Sequence, residues 1–341
     1  MIHQNIKHNF SLKPYNTFGI DVSAKYFTSV SHINDLKTIL ELKLSDHILV
    51  IGGGSNLLFT KDFNGLVIHI NIKGIEIVRE SNNTVIVGVN AGENWHDFVL
   101  WAIKHDFGGI ENLSLIPGNV GTAPVQNIGA YGMELKDVFE SCEGINIKTG
   151  NTICFNNADC NFGYRDSIFK KELKNQFIIT RVYFKLSKKP HHIHMAYGAI
   201  STELEHMGIE APTIADVSNA VINIRRKKLP DPKHIGNSGS FFKNPIVSKS
   251  HFDHLKLVLK HDIPHYVISE DSVKIPAGWL IEHTGFKGKR FNNYGVHEKQ
   301  ALVLVNHGNA KGSDILNLSK LIQKTVKRLF DITLETEVNI L

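Results

Sequence analysis

Two glycine-rich loops carry the clearest chemical signal in this chain. The first covers residues 52–58 and the second residues 117–132, and each follows an apolar stretch. Glycine lets the backbone approach a ligand closely, and successive amides in such a turn bind anions. Neither loop has the Rossmann or P-loop spacing. The pair therefore favours a dinucleotide whose pyrophosphate is held from two sides, with hydrogen bonds added by Asn56, Gln126 and Asn127; the alternative is two tight turns between strands.

Arg165, Ser240 and Glu335 are the side chains best suited to reaction chemistry. Arg165 follows an aromatic residue and has the planar fork that binds a carboxylate, although surface ion pairs are common. Ser240 lies outside any Gly-x-Ser-x-Gly motif, which argues against a serine hydrolase. It would deliver a proton if a cation such as Lys228 or Lys243 lay nearby; otherwise it belongs to a turn that enters a strand. Glu335 lies in an alternating terminal segment, where a carboxylate is ordinarily solvated.

Hydrophobic periodicity predicts the elements that position these side chains. A first α/β unit leads into the first glycine loop, with a helix at 34–44 and strands at 26–30, 47–51 and 66–70. A strand-rich region contains the second loop, with a helix at 95–104 and strands at 84–92 and 177–186.

A third predicted region follows a helix at residues 213–228 and a proline-rich break. It covers residues 236–330 as an α/β unit, with a strand at 301–306 and a helix at 315–330. The helix carries a predicted core stripe of Leu316, Ile322, Val326 and Leu329. Residues 272–282, which follow Tyr266, are interpreted as a loop and then a helix, and residues 334–341 as a terminal strand.

The composition narrows the class of protein. The chain has 341 residues, 42% hydrophobic and 21% charged, with a net charge of +5. This mild positive charge suits a small anionic ligand, and the absence of a basic tail or stripe predicts no nucleic-acid partner. No apolar run is long enough to span a membrane. The histidines at 191, 192 and 194 have no carboxylate or cysteine beside them, so we expect a solvated loop rather than a metal site.

The cellular compartment is predicted from the cysteines and the N-terminal sequence. Cys142, Cys154 and Cys160 show no metal-like spacing and are interpreted as free thiols of a reducing compartment. Residues 1–16 lack the apolar core of a secretory signal. We therefore expect a cytoplasmic protein.

Eight motifs occur in the order typical of the UDP-N-acetylenolpyruvoylglucosamine reductase family, which the chain resembles over nearly its whole length. They lie at residues 16–18, 52–56, 116–132, 164–167, 228–232, 239–245, 277–281 and 334–338. The resemblance implies an α+β fold: a two-domain FAD-binding fold of the vanillyl-alcohol-oxidase/PCMH type plus a C-terminal α/β substrate-binding domain. The implied domains are 1–72, to which a strand at 331–341 returns, 73–212 and 213–330.

The resemblance also implies the ligands and their binding residues. FAD is the implied cofactor, held by Gly52, Gly53, Gly54, Ser55, Asn56, Pro117, Gly118, Gly121, Gln126, Asn127, Gly129, Ala130, Tyr131 and Arg225. NADPH is the implied reductant. The implied residues for the UDP-sugar substrate are Tyr197, Lys228, Asn244, Tyr266 and Gln300. The loop from His261 to Ile275 resembles the type I subclass, in which a tyrosine covers the substrate channel. Asn119 and Thr122 replace the usual threonine and alanine of the second loop, which puts local flavin contacts in doubt.

The reaction implied by the resemblance reduces UDP-N-acetylglucosamine enolpyruvate to UDP-N-acetylmuramate for peptidoglycan. FAD would pass a hydride from NADPH to the vinyl carbon. Arg165 and a protonated, buried Glu335 would stabilise charge on the carboxylate, and Ser240, beside Lys228, would protonate the adjacent carbon. The family leads us to expect a monomer.

Two other functions are open at this point. A flavoprotein oxidase of the same fold often tethers FAD through a histidine or cysteine near the first loop, but residues 52–58 contain neither. A flavin-binding regulator would not need Arg165, Ser240 and Glu335 together.

Overall fold

The chain folds as two compact units whose segments alternate along the sequence. The computed structural model describes residues 6–195, 197–260 and 262–341. Unit 1 contains the chain up to Phe10, together with Ala24–Gly54 and Phe63–Lys227; unit 2 contains Ser11–Ser23, Ser55–Asp62 and Lys228–Leu341. The first glycine loop crosses from unit 1 into unit 2 between Gly54 and Ser55.

The helices and strands are numbered in chain order. The helices are α1 (Ile33–Glu41), α2 (Trp95–Lys104), α3 (Gly198–His206), α4 (Ile214–Lys228), α5 (Lys249–Leu259), α6 (Ala277–His283) and α7 (Gly312–Phe330). Short 3₁₀ helices cover Lys13–Tyr15, Glu111–Leu113, Val120–Thr122, Pro124–Gln126, Leu135–Asp137 and Ile168–Lys170. The strands are β1 (Lys7–Ser11), β2 (Ser23–Val30), β3 (Ile48–Ile51), β4 (Leu57–Leu58), β5 (Phe63–Ile70), β6 (Ile75–Glu80), β7 (Thr84–Asn90), β8 (Gly129–Ala130), β9 (Met133–Glu134), β10 (Phe139–Asn146), β11 (Thr152–Asn156), β12 (Phe177–Ser187), β13 (Ile246–Ser248), β14 (Tyr266–Ser269), β15 (Ser272–Lys274), β16 (Arg290–Phe291), β17 (Tyr294–Val296), β18 (Leu304–Asn306) and β19 (Asn339–Ile340).

The parallel part of unit 1 leads into the first glycine loop. Strands β2 and β3 both run parallel to β5 in a sheet of order β1-β2-β5-β3. Helix α1 buries Leu36, Ile39 and Leu40 in the same core as the strand residues, because spacings of three and four place them on one face. The predicted helix and strands are confirmed, although α1 ends at Glu41 and Lys43 then takes a positive φ of 47°.

The antiparallel part of unit 1 supports the second glycine loop. Its sheet has the order β11-β10-β12-β7-β6, and α2 packs on it with the predicted bounds. Asn94 begins α2, since its side chain accepts hydrogen bonds from the amides of the next turn. Phe98 is fully buried with its ring 4.8 Å from that of Phe184, a burial that contributes about 3 kcal/mol. Val120 of the second loop belongs to the same core.

Unit 2 is built from small sheets and the long helix α7. Its sheets are β13-β15-β14, β16-β17-β18 and the parallel pair β19-β4. Helix α7 begins against the segment 55–62, where a β-carbon on Gly312 would lie 1.7 Å from the Phe59 carbonyl oxygen, so only glycine fits. Ile322 and Val326 are buried as predicted.

Three predictions about unit 2 are wrong in detail. In α7, Leu329 is 49% exposed and Leu316 only half-buried; the buried stripe contains Ile315, Leu318, Ile322, Val326 and Phe330. The predicted loop before α6 contains strand β15, which pairs with β13 on one side and β14 on the other.

The third correction concerns the predicted terminal strand, which is not continuous. The Glu337 amide bonds to the Phe241 carbonyl, whereas the Asn339 amide bonds to the Asn56 carbonyl. The segment changes partner at this point, so only β19 forms a regular strand.

Candidate active site

The two glycine loops pack against each other within unit 1. A β-carbon on Gly53 would lie 3.0 Å from the Gly118 α-carbon and 3.0 Å from the Asn119 side-chain oxygen. A β-carbon on Gly52 would lie 2.9 Å from the Thr122 methyl group. The Asn119 amide also donates to the Gly92 carbonyl at 3.2 Å. The residues that depart from the usual family motif therefore form the contact between the loops.

Asn127 shapes the second loop from inside. Its side chain is fully buried, donates to Glu134 and to the Gly163 carbonyl at 3.0 Å each, and accepts from the Lys136 amide at 3.0 Å. These contacts use the carboxamide, so the expected side-chain hydrogen bond from Asn127 to a ligand is not supported. A flavin contact at this residue would have to involve its backbone, which has a φ of 43°.

A β-hairpin carries the next implied flavin residues. Strands β8 and β9 are joined by Tyr131 and Gly132, whose φ values of 50° and 84° are those of a type I′ turn. Arg225 of α4 lies close enough to the Tyr131 side chain for each group to shift the pKa of the other. Burial raises the pKa of Tyr131 and lowers that of Arg225, and in each case the partner opposes the shift.

Arg225 has unused hydrogen-bonding capacity. Its Nε atom is buried and has no partner among the described residues of the chain. The positive charge of Arg165 lies near enough to lower the pKa of Arg225 further. A buried donor and a second cation are the features of an anion site.

Arg165 is fixed to the same hairpin. Gly163 and Asp166 exchange both backbone hydrogen bonds, at 3.1 and 3.2 Å, around a turn in which Arg165 has a φ of 55°. Its Nη2 atom donates to the Gly129 carbonyl at 2.6 Å, which sets the plane of the guanidinium. The Lys170 ammonium in turn bonds to the Arg165 carbonyl at 3.2 Å.

His96 is a supporting residue that the sequence analysis missed. Its Nδ1 atom accepts a hydrogen bond from the Leu115 amide at 3.0 Å, and Leu115 has a φ of 58°. The bond requires a neutral ring protonated on Nε2. Burial lowers the pKa of His96, as do Arg226 and Arg225, whereas Asp97 opposes them. Its position on the first turn of α2, beside the Asn94 cap, is a signal too weak to identify it.

Ser240 and Glu335 lie on neighbouring segments of unit 2. The Phe241 amide bonds to the Leu302 carbonyl at 2.8 Å, and the Lys243 amide bonds to the Glu335 carbonyl at 2.9 Å. The Ser240 side chain is half-buried. The structure thus places Ser240 and Glu335 on hydrogen-bonded neighbouring segments of unit 2, whereas Arg165 belongs to unit 1.

The expected burial of Glu335 is wrong for this structure. The Glu335 side chain is 73% exposed, and its Oε2 atom lies 3.1 Å from Nζ of Lys243. Lys243, a predicted candidate neighbour of Ser240, therefore has Glu335 as a charge partner.

The implied substrate residues are distributed over both units. In unit 1, Tyr197 is 40% exposed and its ring lies edge-on to that of Tyr131 at 5.4 Å. In unit 2, Tyr266 is 47% exposed on β14, and the Asn244 side chain accepts from the Ala277 amide at the start of α6.

The other two implied substrate residues also belong to unit 2. The Gln300 side chain accepts from the Leu302 amide at 3.3 Å. Lys228 ends α4 and is exposed. His261, the first residue of the predicted tyrosine loop, and Ala196, which precedes Tyr197, lie outside the described residues.

The histidine cluster is not a simple solvated loop. His191 has a side chain only 8% exposed, which bonds to Ser187 at 3.0 Å and to Asp106 at 3.2 Å. His192 is exposed and packs edge-on to His194. Across residues 6–195, 197–260 and 262–341, no group of three metal-ligating side chains comes together, and no helix is long and apolar enough to cross a membrane.

The residues of unit 1 fit an FAD pyrophosphate. Gly52 and Gly53 let the first loop pack tightly on the second, and the orphaned Nε of Arg225 supplies a buried donor. Exposed backbone amides and guanidinium groups are the usual partners of a pyrophosphate. The two-sided grip on the pyrophosphate stays a prediction.

Comparison with known proteins shows the family. Residues 231–341 match the family model of the UDP-N-acetylenolpyruvoylglucosamine reductase C-terminal domain, and residues 24–154 match that of an FAD-binding domain. The chain is 59% identical to UDP-N-acetylenolpyruvoylglucosamine reductase of Flavobacterium johnsoniae over 336 residues, which cover 98% of this chain and 99% of the relative. It is 45% identical to the reductase of Pseudomonas aeruginosa, with 98% of each chain covered.

A solved structure agrees with the predicted fold. The crystal structure of UDP-N-acetylenolpyruvylglucosamine reductase from Thermus caldophilus has a TM-score of 0.68 and 24% identity, with 98% of this chain and 97% of that chain covered. The predicted α+β fold, with an FAD-binding part and a C-terminal domain, is confirmed. The chain belongs to the UDP-N-acetylenolpyruvoylglucosamine reductase family of flavin-dependent oxidoreductases.

Proposed function

We propose that this protein reduces UDP-N-acetylglucosamine enolpyruvate to UDP-N-acetylmuramate, with NADPH as reductant, in the cytoplasmic synthesis of peptidoglycan precursor. The supporting observation is the convergence of Arg165 and Arg225 on the β8–β9 hairpin beside the paired glycine loops, in a chain of the reductase family. When bound, FAD supplies hydride transfer from the reductant to the vinyl carbon of the substrate.

Arg165 is proposed to bind the substrate carboxylate. Its Nη2–Gly129 hydrogen bond orients the guanidinium, whose planar fork matches the geometry of a carboxylate. Negative charge that develops on the carboxylate during hydride transfer is stabilised by this preorganised cation. Tyr197 is proposed to bind the UDP-sugar through its exposed ring.

Ser240 is proposed to donate the proton to the carbon next to that carboxylate. A serine hydroxyl is a weak acid, so a cation is needed to stabilise the alkoxide that remains. Lys228 is the proposed cation, because Lys243 already pairs with Glu335 at 3.1 Å.

Glu335 and Lys243 are proposed to act together as an ion pair. Their charged groups lie 3.1 Å apart, so Lys243 would hold the Glu335 side chain in place for the substrate. Asn244, Tyr266 and Gln300 complete the proposed UDP-sugar contacts.

We assign residues 1–72 with 331–341, and 73–212, to FAD binding, and 213–330 to the substrate. Tyr266 on its exposed strand fits the type I loop that covers a substrate. All three cysteines are free thiols, which supports a reducing compartment. A monomer is proposed from the family alone.

The test is anaerobic stopped-flow absorbance at the flavin band. NADPH added to the purified protein should bleach the flavin, and UDP-N-acetylglucosamine enolpyruvate should then restore the colour rapidly. Recovery only with oxygen would indicate an oxidase or another acceptor. A protein that purifies without flavin and binds none would contradict the cofactor assignment.

A further inference from the structure

The turn at residues 16–20 has no function in the proposed reaction, although its Asn-Thr-Phe motif is part of the family resemblance. In unit 2, the buried Asn16 side chain donates to the Leu12 carbonyl at 2.8 Å and to the Ile20 carbonyl at 3.0 Å. It also accepts from the Ile20 amide at 2.9 Å. The carboxamide is therefore satisfied by backbone groups that fix the turn in one conformation.

This rigid turn offers two carbonyl groups to distant parts of unit 2. The Thr17 carbonyl accepts from the Asn237 amide at 3.0 Å. The Phe18 carbonyl accepts from the Asn306 side chain at 2.8 Å. The Phe18 ring is buried and lies 6.4 Å from that of Phe241. The turn thus contacts the Ser240 loop on both sides of Ser240.

Asn306 is the branching point of these contacts. Its side-chain oxygen accepts from the amides of Gly308 at 2.8 Å and Ala310 at 3.1 Å. Its side-chain amide group donates to the Phe18 carbonyl. Its backbone exchanges two hydrogen bonds with Gly236, at 2.7 and 3.0 Å. The approach is so close that a β-carbon on Gly236 would lie 2.3 Å from the Phe18 carbonyl oxygen.

The chain of contacts ends immediately before Ser240. The Asn237 side chain accepts from the Gly239 amide at 3.0 Å, and Gly239 has a φ of 69°. The Ser238 hydroxyl donates to the Leu57 carbonyl at 3.2 Å and lies 3.3 Å from the Thr17 hydroxyl. Asn306, Asn237 and Ser238 are all buried, so water does not replace these bonds when one is lost.

We propose that Asn306 is a positioning residue that sets the direction of the Ser240 hydroxyl through the turn at residues 16–20. The inference rests on the proposed function, in which Ser240 donates a proton. Proton transfer depends on placement to a fraction of an ångström, and a displacement of 1 Å can cost about 100-fold in rate. A buried network with every described bond made is rigid enough to provide that placement.

The substitution Asn306→Asp tests this directly. Aspartate keeps the oxygen that accepts from Gly308 and Ala310, but it cannot donate to the Phe18 carbonyl. We expect flavin reduction by NADPH to keep its rate, and reoxidation by the enolpyruvyl substrate to slow by roughly 10- to 100-fold. The control is Ser319→Ala, which removes an equally buried hydrogen bond of unit 2, from Ser319 to the Leu316 carbonyl at 2.8 Å, far along the sequence from the loop.

A double-mutant cycle with Ser240→Ala distinguishes a positioning role from a structural one. If Asn306 acts through Ser240, the double variant should reoxidise no more slowly than Ser240→Ala alone. Additive losses, or equal losses in both half-reactions, would overturn the proposal. Should Ser240→Ala itself reoxidise at the wild-type rate, the proposed proton donor is wrong, and that result is separate from any effect of Asn306.

A milder variant covers the case in which Asn306→Asp does not fold. Thr17→Val keeps the carbonyl that binds Asn237 and removes only the hydroxyl beside Ser238. We expect it to slow reoxidation about 3-fold, in keeping with one weakened hydrogen bond, and to leave reduction by NADPH unchanged. A folded Thr17→Val protein with wild-type reoxidation would show that the turn at residues 16–20 does not position Ser240. That result would overturn the proposal, in which Asn306 acts through this turn.

Discussion

Gly53 and Gly118 lie in backbone contact within unit 1, although they belong to loops far apart in the sequence. A β-carbon on Gly53 would be 3.0 Å from the Gly118 α-carbon, and because that atom is backbone it cannot turn aside as a side chain would. The close approach of the two loops therefore requires glycine at position 53, and the φ of 115° at Gly118 also favours glycine. A dinucleotide bound across the two loops would depend on the contact.

The first prediction follows from that contact. Gly53→Ala should weaken FAD binding by at least about 10-fold, or 1.4 kcal/mol, because the loops must separate. Gly144→Ala in β10 is the matched control, since its β-carbon would find neighbours at an ordinary 3.6 Å. Titration of the apoprotein with FAD, followed by flavin fluorescence, measures both affinities. Equal affinities for the two variants would show that the contact between the loops is not needed for FAD.

The second prediction concerns the fork of Arg165. Arg165→Lys keeps the charge but removes the Nη2 hydrogen bond to Gly129, so the cation is no longer held in a fixed plane. Reoxidation of reduced flavin by the enolpyruvyl substrate should slow by roughly 100-fold, while reduction by NADPH changes little.

Arg181→Lys provides the comparison for Arg165. Arg181 is another arginine of unit 1, and it pairs with Glu76 at 2.6 Å on the five-stranded sheet. The same substitution there should leave both half-reactions unchanged. If Arg165→Lys behaved like Arg181→Lys in stopped-flow traces, Arg165 would have no part in stabilising the carboxylate.

Helices and buried strands of this protein were predictable because their signals are local. The spacing of Trp95, Phe98 and Val99 and the cap at Asn94 determine α2 without reference to the rest of the chain. The glycine loops were recognisable for the same reason. In α7, by contrast, Leu329 satisfies the apolar pattern yet is exposed, because the neighbours that bury Phe330 are determined by tertiary packing.

Supporting residues of the site were not predictable from spacing. Nothing local distinguishes Asn306, whose importance comes from a contact with the Phe18 carbonyl. His96 likewise contacts Leu115 only after the chain has turned. The burial expected for Glu335 was wrong because exposure and the partner Lys243 are tertiary properties. The family resemblance predicted which side chains react, and the structure was needed to find the residues that contact them.

The third prediction separates activity from stability at Glu335. Glu335→Gln removes the charge paired with Lys243, but an exposed pair contributes at most about 1 kcal/mol. Thermal unfolding should therefore change little, while substrate-dependent reoxidation should fall strongly. Lys327, which pairs with Asp331 at 2.7 Å on the surface of unit 2, gives the control Asp331→Asn. A variant Glu335→Gln with wild-type turnover would remove Glu335 from the reaction.

The last prediction is a pH dependence controlled by His96. Burial holds the pKa of His96 below its ordinary value of 6.5. Between the lowered pKa and pH 6.5, His96 therefore binds a proton in the unfolded chain but not in the folded protein. The stabilisation is therefore complete above pH 6.5 and is lost as the pH falls through the lowered pKa. Protonation would also break the bond from the Leu115 amide, which leads into the second glycine loop. FAD affinity and the unfolding temperature should both decline as the pH is lowered from 7.5 to 5.5.

The variant His96→Gln isolates this effect from other histidines. Glutamine offers an oxygen that can accept from Leu115 at any pH in this range. His69 of unit 1, whose pKa is also lowered by burial and by Lys73, remains in both proteins, so the difference between their pH profiles belongs to His96. FAD titrations and thermal unfolding across the pH series give that difference. Parallel profiles for the wild type and His96→Gln would mean that protonation of His96 does not control the second loop.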